Sequence, residues 1–489
     1  MGFCAYAISI YDELKNGTVE ICKKLEEFYV KMWNQFCVQN GIVDAYTEDE
    51  NGVCKERPTR LGHIYLSVKK HKKNHCARFI VGGSKLASTP LSKVVSIALR
   101  EVMKTLRKIY SNMFMMRTGI TLKESSILKD TDDFIEHLNE LNNLKNQQYF
   151  NLQDFNVSAK DFTNLYPSPP HDDLQLQISK CINVAFDWQT RDHQKKYKNC
   201  TRACLLTKKY PECNERDESA TWTNKYTDKQ HTEPGLICIS KEMLVQFTTY
   251  LIRESYFTYG KQVWHITRGF PTGTNAAPEM ANLYLLAYEL AYFERQTRKW
   301  QSLPIHHKVF ILSYKRFIDD VFHLESKTQT ESFLYKSPDK DGIFPKSLCD
   351  KGNTIDMPLQ LNGGSGKEAN FLDITVMIDS AITYKLYDKR KEMYVSGKRV
   401  SELPNFPNIN SNLAQSCKYG VLSSQLYRFA RRNTKATEVI KNTIHLCKKM
   451  MRDGYNKDLI KGELVKFKKW PKKLGKWGKI LKVLLNGIR

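Results

Sequence analysis

The sequence predicts an α+β fold with a helical unit at the end of the chain, and three observations support this. Short apolar runs typical of strands lie at residues 316–322, 371–378 and 382–387. Longer stretches between them carry apolar residues at helical spacing. Roughly the last eighty residues alternate basic and apolar positions at helical spacing, so we expect them to form a separate small unit.

The individual elements follow in chain order. A helical pattern covers Val19–Phe36, and two strands, Ile64–Val68 and Arg78–Val81, are expected to flank a basic loop. Arg78 stands where an arginine can clamp a phosphate. Residues 187–235 are polar, contain cysteines and predict a loop-rich insertion. Further helices are expected at residues 91–109, 241–254, 278–295, 424–432 and 439–451, with polar helix and loop at 120–150.

Two adjacent carboxylates, Asp319 and Asp320, lie between apolar flanks in Arg316-Phe-Ile-Asp-Asp-Val-Phe. With the apolar run Val309–Leu312 upstream, the segment predicts a buried β-hairpin with the two aspartates at its tip. Neighbouring carboxylates repel each other and are costly to desolvate, but a bound divalent cation keeps both of them ionised. Taken alone, a solvent-facing Asp-Asp turn explains the pair equally simply, because aspartate is a favoured turn residue.

A third carboxylate, Asp161, lies in Lys160-Asp-Phe-Thr-Asn-Leu-Tyr-Pro167, a strand that breaks into a turn at the proline. An aspartate at a strand end can bind a metal ion while nearby backbone N–H groups face a triphosphate. It can equally be an ordinary strand-end cap. Asp172 and Asp173 follow Pro170 and favour the start of a helix over a metal site.

A glycine-permissive loop begins at Gly269 and runs through Pro271 and Gly273 to Pro278, where an amphipathic helix starts. Such a loop allows the backbone to approach a substrate closely. A simple connection into the helix is the alternative.

The formal net charge of +24 indicates a polyanionic partner. Basic residues cluster at Lys69-Lys70-His-Lys72-Lys73, at Arg428–Arg432 and in the lysine-rich tail, a spread that suits a long groove following a phosphate backbone. The apolar runs are too short to span a membrane, and we expect no membrane partner.

The thirteen cysteines contain no Cys-x-x-Cys pair, which predicts reduced thiols in a nuclear or cytoplasmic protein. Cys200, Cys204 and Cys213, with His193 and Cys238 nearby, fit no standard zinc spacing, so free thiols are favoured over a metal site.

The order of these motifs resembles that of reverse transcriptases, most closely the Penelope-like retroelement branch. Asp161-Phe-Thr-Asn-Leu-Tyr-Pro-Ser is similar to the first catalytic motif, with His171-Asp172-Asp173-Leu174 after it. The second motif is Arg268-Gly-Phe-Pro-Thr-Gly-Thr-Asn-Ala-Ala-Pro-Glu-Met-Ala-Asn-Leu-Tyr-Leu, and the third is Arg316-Phe-Ile-Asp-Asp-Val-Phe. Similar segments upstream and downstream extend the resemblance over residues 60–475 or so.

This resemblance implies a right-hand polymerase made of fingers, a palm and a helical thumb. Residues 1–60 would be an N-terminal extension and residues 61–150 a fingers-like region. Residues 151–400 would form the palm, whose antiparallel sheet carries the Asp-Asp hairpin, with the polar insertion at about 187–235. Residues 401–489 would form the basic thumb and tail.

The resemblance also implies an RNA-directed DNA polymerase, a nucleotidyltransferase that adds deoxynucleotides to a primer 3′-hydroxyl. Asp161 and Asp319, with Asp320 as a lesser partner, would be the catalytic ligands of two Mg²⁺ ions, with Mn²⁺ as a substitute. The implied partners are an RNA template, a DNA or RNA primer, dNTPs and a nuclease acting in trans.

The remaining implied sites contact substrate or nucleic acid. The ring of Tyr166 would lie beneath the incoming sugar and exclude a 2′-hydroxyl. Other substrate-binding residues would be Lys72, Arg78, Phe162, Phe270, Pro271 and Gly273. Residues implied to bind nucleic acid are Lys69, Lys70, Arg428, Arg431 and Lys435.

The chain departs from the family pattern in two ways. Thr272 stands where many reverse transcriptases have glutamine, and no Gly-Ile-Tyr/Tyr-Ile-Gly endonuclease domain is recognisable after residue 475. We therefore expect an element that does not cleave its own target. The alternatives are a domesticated or inactive nucleic-acid-binding protein and, less favoured, an RNA-dependent RNA polymerase.

Overall fold

The computed structural model of the 489-residue chain describes residues 11–13, 19–44, 58–68, 77–82, 85–121, 126–163, 165–196, 202–210, 212–213, 220–223, 235–271, 273–328, 333–336, 341–345, 360–387, 394–395, 398–399 and 406–488. Its helices are α1 (Val19–Gln39), α2 (Thr89–Thr118), α3 (Thr131–Asn146), α4 (His171–Lys196), α5 (Lys241–Arg253), α6 (Ala277–Arg298), α7 (Ile305–Ser313), α8 (Gln415–Arg431), α9 (Ala436–Arg452), α10 (Lys457–Lys466) and α11 (Trp477–Gly487). Within these ranges, none of the helices has the length and apolar character needed to cross a membrane.

The strands are β1 (Tyr11–Glu13), β2 (Gly62–Val68), β3 (Ala77–Gly82), β4 (Phe155–Thr163), β5 (Cys204–Lys208), β6 (Thr221–Thr223), β7 (Leu236–Ile239), β8 (Tyr256–Tyr259), β9 (Gln262–Ile266), β10 (Lys315–Phe317), β11 (Asp320–Ser326), β12 (Tyr335–Lys336), β13 (Phe344–Pro345), β14 (Gln360–Gly366), β15 (Glu368–Phe371), β16 (Ile374–Ile378), β17 (Ile382–Leu386), β18 (Tyr394–Val395) and β19 (Lys398–Arg399). The larger sheets have the strand orders β1-β9-β8-β2-β3, β10-β11-β4-β14, β15-β16-β17 and β6-β5-β7. The mixed helix and sheet content confirms the predicted α+β class.

The sheet β10-β11-β4-β14, called the central sheet below, is antiparallel throughout. Both faces of this sheet are covered, because the four successive residues 321–324 of β11 are all buried. Val157 and Val321 are fully buried on opposite faces, since Val157 lies opposite Leu324. Helices α2, α4 and α6 pack against one another in the same core, through side chains such as Leu99, Ile182 and Leu283.

Local sequence signals fix several helix ends. Asp130 caps α3, because its side chain accepts hydrogen bonds from the backbone N–H groups of Asp132 and Asp133. Helix α2 carries Pro90 in its first turn and ends at Gly119, whose φ of 72° is the left-handed conformation that favours glycine. Helix α2 is therefore longer at both ends than the predicted span of 91–109.

A second apolar core lies within α8 to α11, between side chains such as Leu426, Leu446 and Leu464. The connection between α8 and α9 joins this helical unit to strand β17. The side chain of Asn433 accepts from the backbone N–H of Leu386 at 3.1 Å, and the Thr434 N–H donates to the carbonyl of Tyr384 at 2.9 Å. The described helices α8 to α11, called the helical unit below, thus share an apolar core of their own.

Two predicted elements are wrong in their details. Val309–Leu312 belongs to helix α7 and not to a strand, so the first strand of the hairpin is the shorter β10. A four-residue apolar run has no periodicity that separates a buried helix from a buried strand. The predicted loop-rich insertion also contains regular structure in its described part: α4 continues to Lys196, and β5, β6 and β7 form a sheet. Leu205 and Ile239 bury this sheet against the main core.

Candidate active site

The central sheet brings Asp161, Asp319 and Asp320 to one place. Strands β4 and β11 are paired so that Asp161 lies directly opposite Asp320. Residues opposite each other in an antiparallel pair point to the same face, with Cβ atoms about 4.5–5.5 Å apart. The backbone N–H of Phe162 donates to the carbonyl of Asp319 at 2.9 Å, which fixes the turn against β4. Two strands far apart in sequence therefore bring the backbones of three aspartates together at one end of the two central strands. Within the described residues, their side chains do not form a preformed metal site.

The turn that carries Asp319 is tight and strained. Phe317 pairs with Asp320, which leaves only Ile318 and Asp319 between strands β10 and β11. Ile318 has a φ of 53°, a left-handed conformation that is unfavourable for a β-branched residue. Such a residue persists only where its surroundings hold it in place.

The glycine loop lies against the segment that follows Asp161. The N–H of Gly269 donates to the carbonyl of Pro169 at 2.8 Å, and that of Phe270 donates to the carbonyl of Tyr166 at 2.7 Å. A Cβ on Gly269 would lie 2.3 Å from the Tyr166 carbonyl oxygen, and one on Gly273 would lie 1.5 Å from that of Val81. Both glycines also have positive φ, so no other residue fits these two positions.

His171 helps to hold this loop. Its Nε2–H donates to the carbonyl of Gly269 at 3.1 Å. Burial, together with the positive charge of Arg253, lowers the pKa of His171 to about 4. The imidazole is therefore neutral at pH 7 and keeps a single, defined donor for the loop.

The predicted substrate-contacting aromatic residues differ in exposure. The Tyr166 ring is partly exposed and packs edge-on against Phe270, with 5.7 Å between the ring centroids. Phe270 is 1% exposed, so the prediction that its ring contacts substrate is wrong, and it packs against Tyr166 instead. Phe162 is 2% exposed and packs on Phe344, because its side chain points away from the face that carries Asp161. The prediction that the Phe162 side chain contacts substrate is wrong, and what Phe162 contributes here is its backbone N–H, which donates to the carbonyl of Asp319. Pro271 is buried.

Asp172 and Asp173 lie in the first turn of α4, as predicted. Asp173 accepts hydrogen bonds from the hydroxyls of Tyr284 and Tyr288 on α6, at 2.8 and 2.7 Å. Asp172 forms an ion pair with Arg253. Both carboxylates thus connect helices.

Several predicted contact residues fall outside what the structure describes. Lys69, Lys70 and Lys72 lie outside the described residues, and so does Thr272. Arg78 lies on strand β3, opposite Ser67.

The arginines of the helical unit form a cluster with two aspartates, which we call the outer arginine cluster: Arg428, Arg431, Arg432, Asp132 and Asp373. Arg428 binds Asp373 at 3.2 Å and Arg431 binds Asp132 at 2.9 Å. Arg432 contacts both aspartates. The predicted nucleic-acid contacts Arg428 and Arg431 are thus bound to carboxylates, whereas the third, Lys435, is exposed. The sequence analysis does not single out Arg432 as a contact residue, because only its place in the basic run Arg428–Arg432 marks it.

Three members of the outer arginine cluster, Asp373, Arg428 and Arg432, line one side of a cavity of about 520 Å³. The same cavity also reaches Asp320 and Phe317. Burial raises the pKa of Asp373, but the hydrogen bond from Thr131 and the charges of Arg432 and Arg428 outweigh it, so the pKa of this carboxyl lies below its usual value. The cavity therefore has fixed charges of both signs beside the aspartate turn.

The cysteines show no metal site in the described part of the chain. Cys204, Cys213 and Cys238 are buried there as reduced cysteines, while Cys200 lies outside it. Across the ranges that the structure covers, no group of three or more His, Cys, Asp or Glu side chains forms a preformed metal cage.

Comparison with known proteins supports the fold. Telomerase from Candida albicans, solved in complex with a TWJ fragment of telomeric RNA, has a TM-score of 0.50 at 12% identity, over 98% of this chain and 70% of that one. Apo telomerase from Candida tropicalis has a TM-score of 0.43 at 12% identity, over 98% and 68% of the two chains. No protein-family model and no curated protein sequence matches. The first likeness establishes a reverse-transcriptase-like fold.

Proposed function

We propose that this chain is an RNA-directed DNA polymerase that extends a primer 3′-hydroxyl with deoxynucleotides. The observation that carries the proposal is the pairing of Asp161 with Asp320, next to Asp319, at one end of the two central strands of an antiparallel sheet. Three neighbouring aspartates in a reverse-transcriptase-like fold match the requirements of nucleotidyl transfer, which needs little covalent chemistry and depends on positioned charge.

The carboxylate oxygens of these three aspartates are suitable ligands for divalent cations. Carboxylate oxygens are the ligands that Mg²⁺ prefers, and Mg²⁺ is usually held by one or two carboxylates together with water and substrate phosphates. A full protein cage is therefore not required. We propose that Asp161 and Asp319, with Asp320 alongside, hold two such ions, which would supply charge neutralisation and a more acidic primer hydroxyl when bound.

The chain's own residues would position the substrates. Tyr166 presents a partly exposed ring, supported by Phe270, beside the strand that carries Asp161. We propose that this ring lies beneath the incoming sugar and disfavours a 2′-hydroxyl. Backbone around Gly269 and Gly273 would shape the floor under the new base pair, since neither position has room for a side chain.

The net charge of +24 supports a nucleic-acid partner. An RNA template is favoured because the Candida albicans telomerase of similar fold was solved with an RNA fragment. The proposal of a Penelope-like retroelement origin rests on the sequence motifs alone.

The test is primer extension by the purified chain with an RNA template, a DNA primer, dNTPs and Mg²⁺. We expect extension by the wild type and a loss of about 100-fold or more in Asp319→Ala, because positioned charge supplies most of the catalysis. The matched control is Asp379→Ala, which removes an exposed aspartate from the turn between β16 and β17 and should leave extension unchanged.

Two results would redirect the assignment. Template binding without extension in Mg²⁺ or Mn²⁺ would favour a non-catalytic nucleic-acid-binding protein. Faster incorporation of rNTPs than of dNTPs would favour an RNA-dependent RNA polymerase and would contradict the role proposed for Tyr166.

A further inference from the structure

We propose that Arg316 is a positioning residue for Asp319: with Glu289 as its counter-ion, it fixes the turn that presents this carboxylate. The inference rests on the proposed polymerase function and adds to it a part of the machinery that lies wholly inside the protein.

All five N–H donors of Arg316 have partners. Nε donates to Glu289 Oε1. Nη1 donates to the side-chain oxygen of Asn282 at 2.9 Å and to the carbonyl of Ile318 at 2.8 Å. Nη2 donates to the carbonyl of Asn282 at 3.0 Å and to Glu289 Oε2 at 3.4 Å. A guanidinium has five donors in a rigid planar fork, so this one is saturated and its orientation is fixed.

The carboxylate of Glu289 is equally well satisfied. It also accepts from the hydroxyls of Tyr314, at 2.8 Å, and Ser126, at 3.1 Å. Burial, and then the negative charge of Glu289, raises the pKa of Tyr314 well above its ordinary value, so the hydroxyl keeps the proton that it donates. We call Arg316, Glu289, Asn282, Tyr314 and Ser126 the inner arginine cluster.

A contribution to folding stability does not by itself explain why the inner arginine cluster is buried. The side chains of Arg316 and Glu289 are both 0% exposed. Desolvating two charges costs several kcal/mol per ion, and apolar residues of similar volume at such sites are often at least as stable. A buried ion pair is better explained by what it holds in place.

What Arg316 holds is the strained residue beside Asp319. The carbonyl of Ile318, at φ 53°, accepts from Arg316 Nη1. The carbonyl of Asp319 itself accepts from the N–H of Phe162 on β4. The turn is therefore held from two sides, by α6 through Arg316 and by β4 through Phe162. The backbone that carries the Asp319 carboxylate accordingly has little freedom to move.

The decisive variant is Arg316→Lys. Lysine keeps the charge, but its ammonium is a point donor that cannot span Glu289, Asn282 and the Ile318 carbonyl at once. We expect kcat for extension to fall about 100-fold, the loss typical of a misplacement of about 1 Å. The half-saturating Mg²⁺ concentration should rise, while KM for the dNTP stays unchanged because the substitution lies in the core and alters none of the proposed nucleotide contacts.

The matched control is Arg117→Lys. Arg117 also reaches helix α6, donating to the Glu294 carbonyl at 3.0 Å and to Thr297 at 3.2 Å, but at the end of the helix away from the turn. Its replacement should leave kcat and the Mg²⁺ dependence unchanged. Thermal unfolding of both variants separates misplacement from loss of the fold; if Arg316→Lys is unfolded, Glu289→Gln, which keeps the volume and one acceptor oxygen, takes its place.

A rescue experiment addresses the turn directly. Asparagine adopts a left-handed backbone more readily than isoleucine. Ile318→Asn therefore makes the turn less dependent on the hydrogen bond from Arg316 to the carbonyl of residue 318. Adding Ile318→Asn to Arg316→Lys should restore kcat by about tenfold, which a general loss of stability would not predict.

The outcomes separate the two proposals. No extension by the wild type contradicts the polymerase function, whereas extension by the wild type and equally by Arg316→Lys contradicts only the positioning role. Mn²⁺ binding, measured by water-proton relaxation without nucleic acid, gives a readout that needs no turnover. We expect weaker Mn²⁺ binding by Arg316→Lys than by the wild type and by Arg117→Lys; equal binding by all three overturns the inference.

Discussion

The two arginine clusters on either side of the aspartate turn use the same chemistry in opposite surroundings. In the inner arginine cluster, Arg316 and Glu289 are 0% exposed. In the outer arginine cluster, the side chains of Arg428 and Asp373 are 39% and 27% exposed. Both clusters consist of guanidinium and carboxylate groups, but the effective dielectric constant around them differs. The attraction within an ion pair is stronger where that dielectric constant is lower.

The difference indicates different tasks. A buried, saturated pair has essentially one arrangement and cannot open without leaving an unpaired charge in the core. Pairs at a solvent-lined cavity exchange protein partners for water at little cost. The inner arginine cluster is therefore suited to fix the aspartate turn, and the outer one to join the helical unit through contacts that a phosphate backbone can replace.

Removing one partner of the inner pair should give the largest effect. Glu289→Ala leaves the Arg316 charge buried without its counter-ion, so we expect a loss of about 3–5 kcal/mol in the free energy of unfolding. Denaturant unfolding measures it, and high salt should not restore it, since ions do not screen a buried charge. Glu294→Ala, on the exposed side of the same helix, is the control and should cost less than about 0.5 kcal/mol. A similar small loss in Glu289→Ala would remove the distinction between the clusters.

Acid should weaken the core that contains the inner arginine cluster. Burial, and then the charge of Lys160, lowers the pKa of His323 on β11 to about 4, from an unfolded value of about 6.5. A histidine with a lowered folded pKa contributes stability that is complete above the unfolded value and is lost as pH falls from about 6.5 towards 4. The loss for His323 is on the order of 3 kcal/mol.

The measurement is the free energy of unfolding across that pH range in His323→Phe, whose ring would still pack on Phe310. The variant should lose less stability than the wild type between pH 7 and pH 4, with a difference of about 3 kcal/mol in total. Replacing the exposed His63 with glutamine should leave the pH dependence unchanged. A pH dependence in His323→Phe equal to that of the wild type would show that His323 does not contribute.

The elements that the sequence predicts correctly are those whose signals lie within a few neighbouring residues. The strands around Asp161 and the Asp-Asp pair, the helix that follows the glycine loop and the amphipathic helices at the end of the chain all carry periodic or turn signals that act over a few residues. The motif order then pointed to the same three aspartates that the register of β4 and β11 brings together. The roles of these residues remain predictions.

What sequence reasoning missed depends on partners that are distant in sequence. Arg316 stood inside a recognised motif, but nothing local marks an arginine that will be buried against Glu289 on α6. Phe162 directly follows the candidate catalytic residue Asp161. Because successive side chains in a strand point to opposite faces, its ring lies in the core and not on the face of Asp161. Val309–Leu312 became a helix because tertiary packing decides short apolar runs.

The smallest expected effect concerns the outer arginine cluster. Arg432→Met keeps the bulk of the side chain but removes its ion pairs with Asp132 and Asp373. Because these groups border a solvent-lined cavity, we expect a loss of about 1 kcal/mol in the free energy of unfolding. This loss should shrink at about 1 M salt, where the Debye length falls to about 3 Å.

The control for Arg432→Met is Arg298→Met, which removes an exposed pair with Glu294 within α6 and should cost less than about 0.5 kcal/mol. Unfolding at low and high salt measures both variants. A loss in Arg432→Met that equals that of Glu289→Ala and does not respond to salt would mean that the outer arginine cluster is as rigid as the inner one. The helical unit would then be fixed to the central sheet, and a nucleic acid could not displace Asp132 and Asp373 from their arginines.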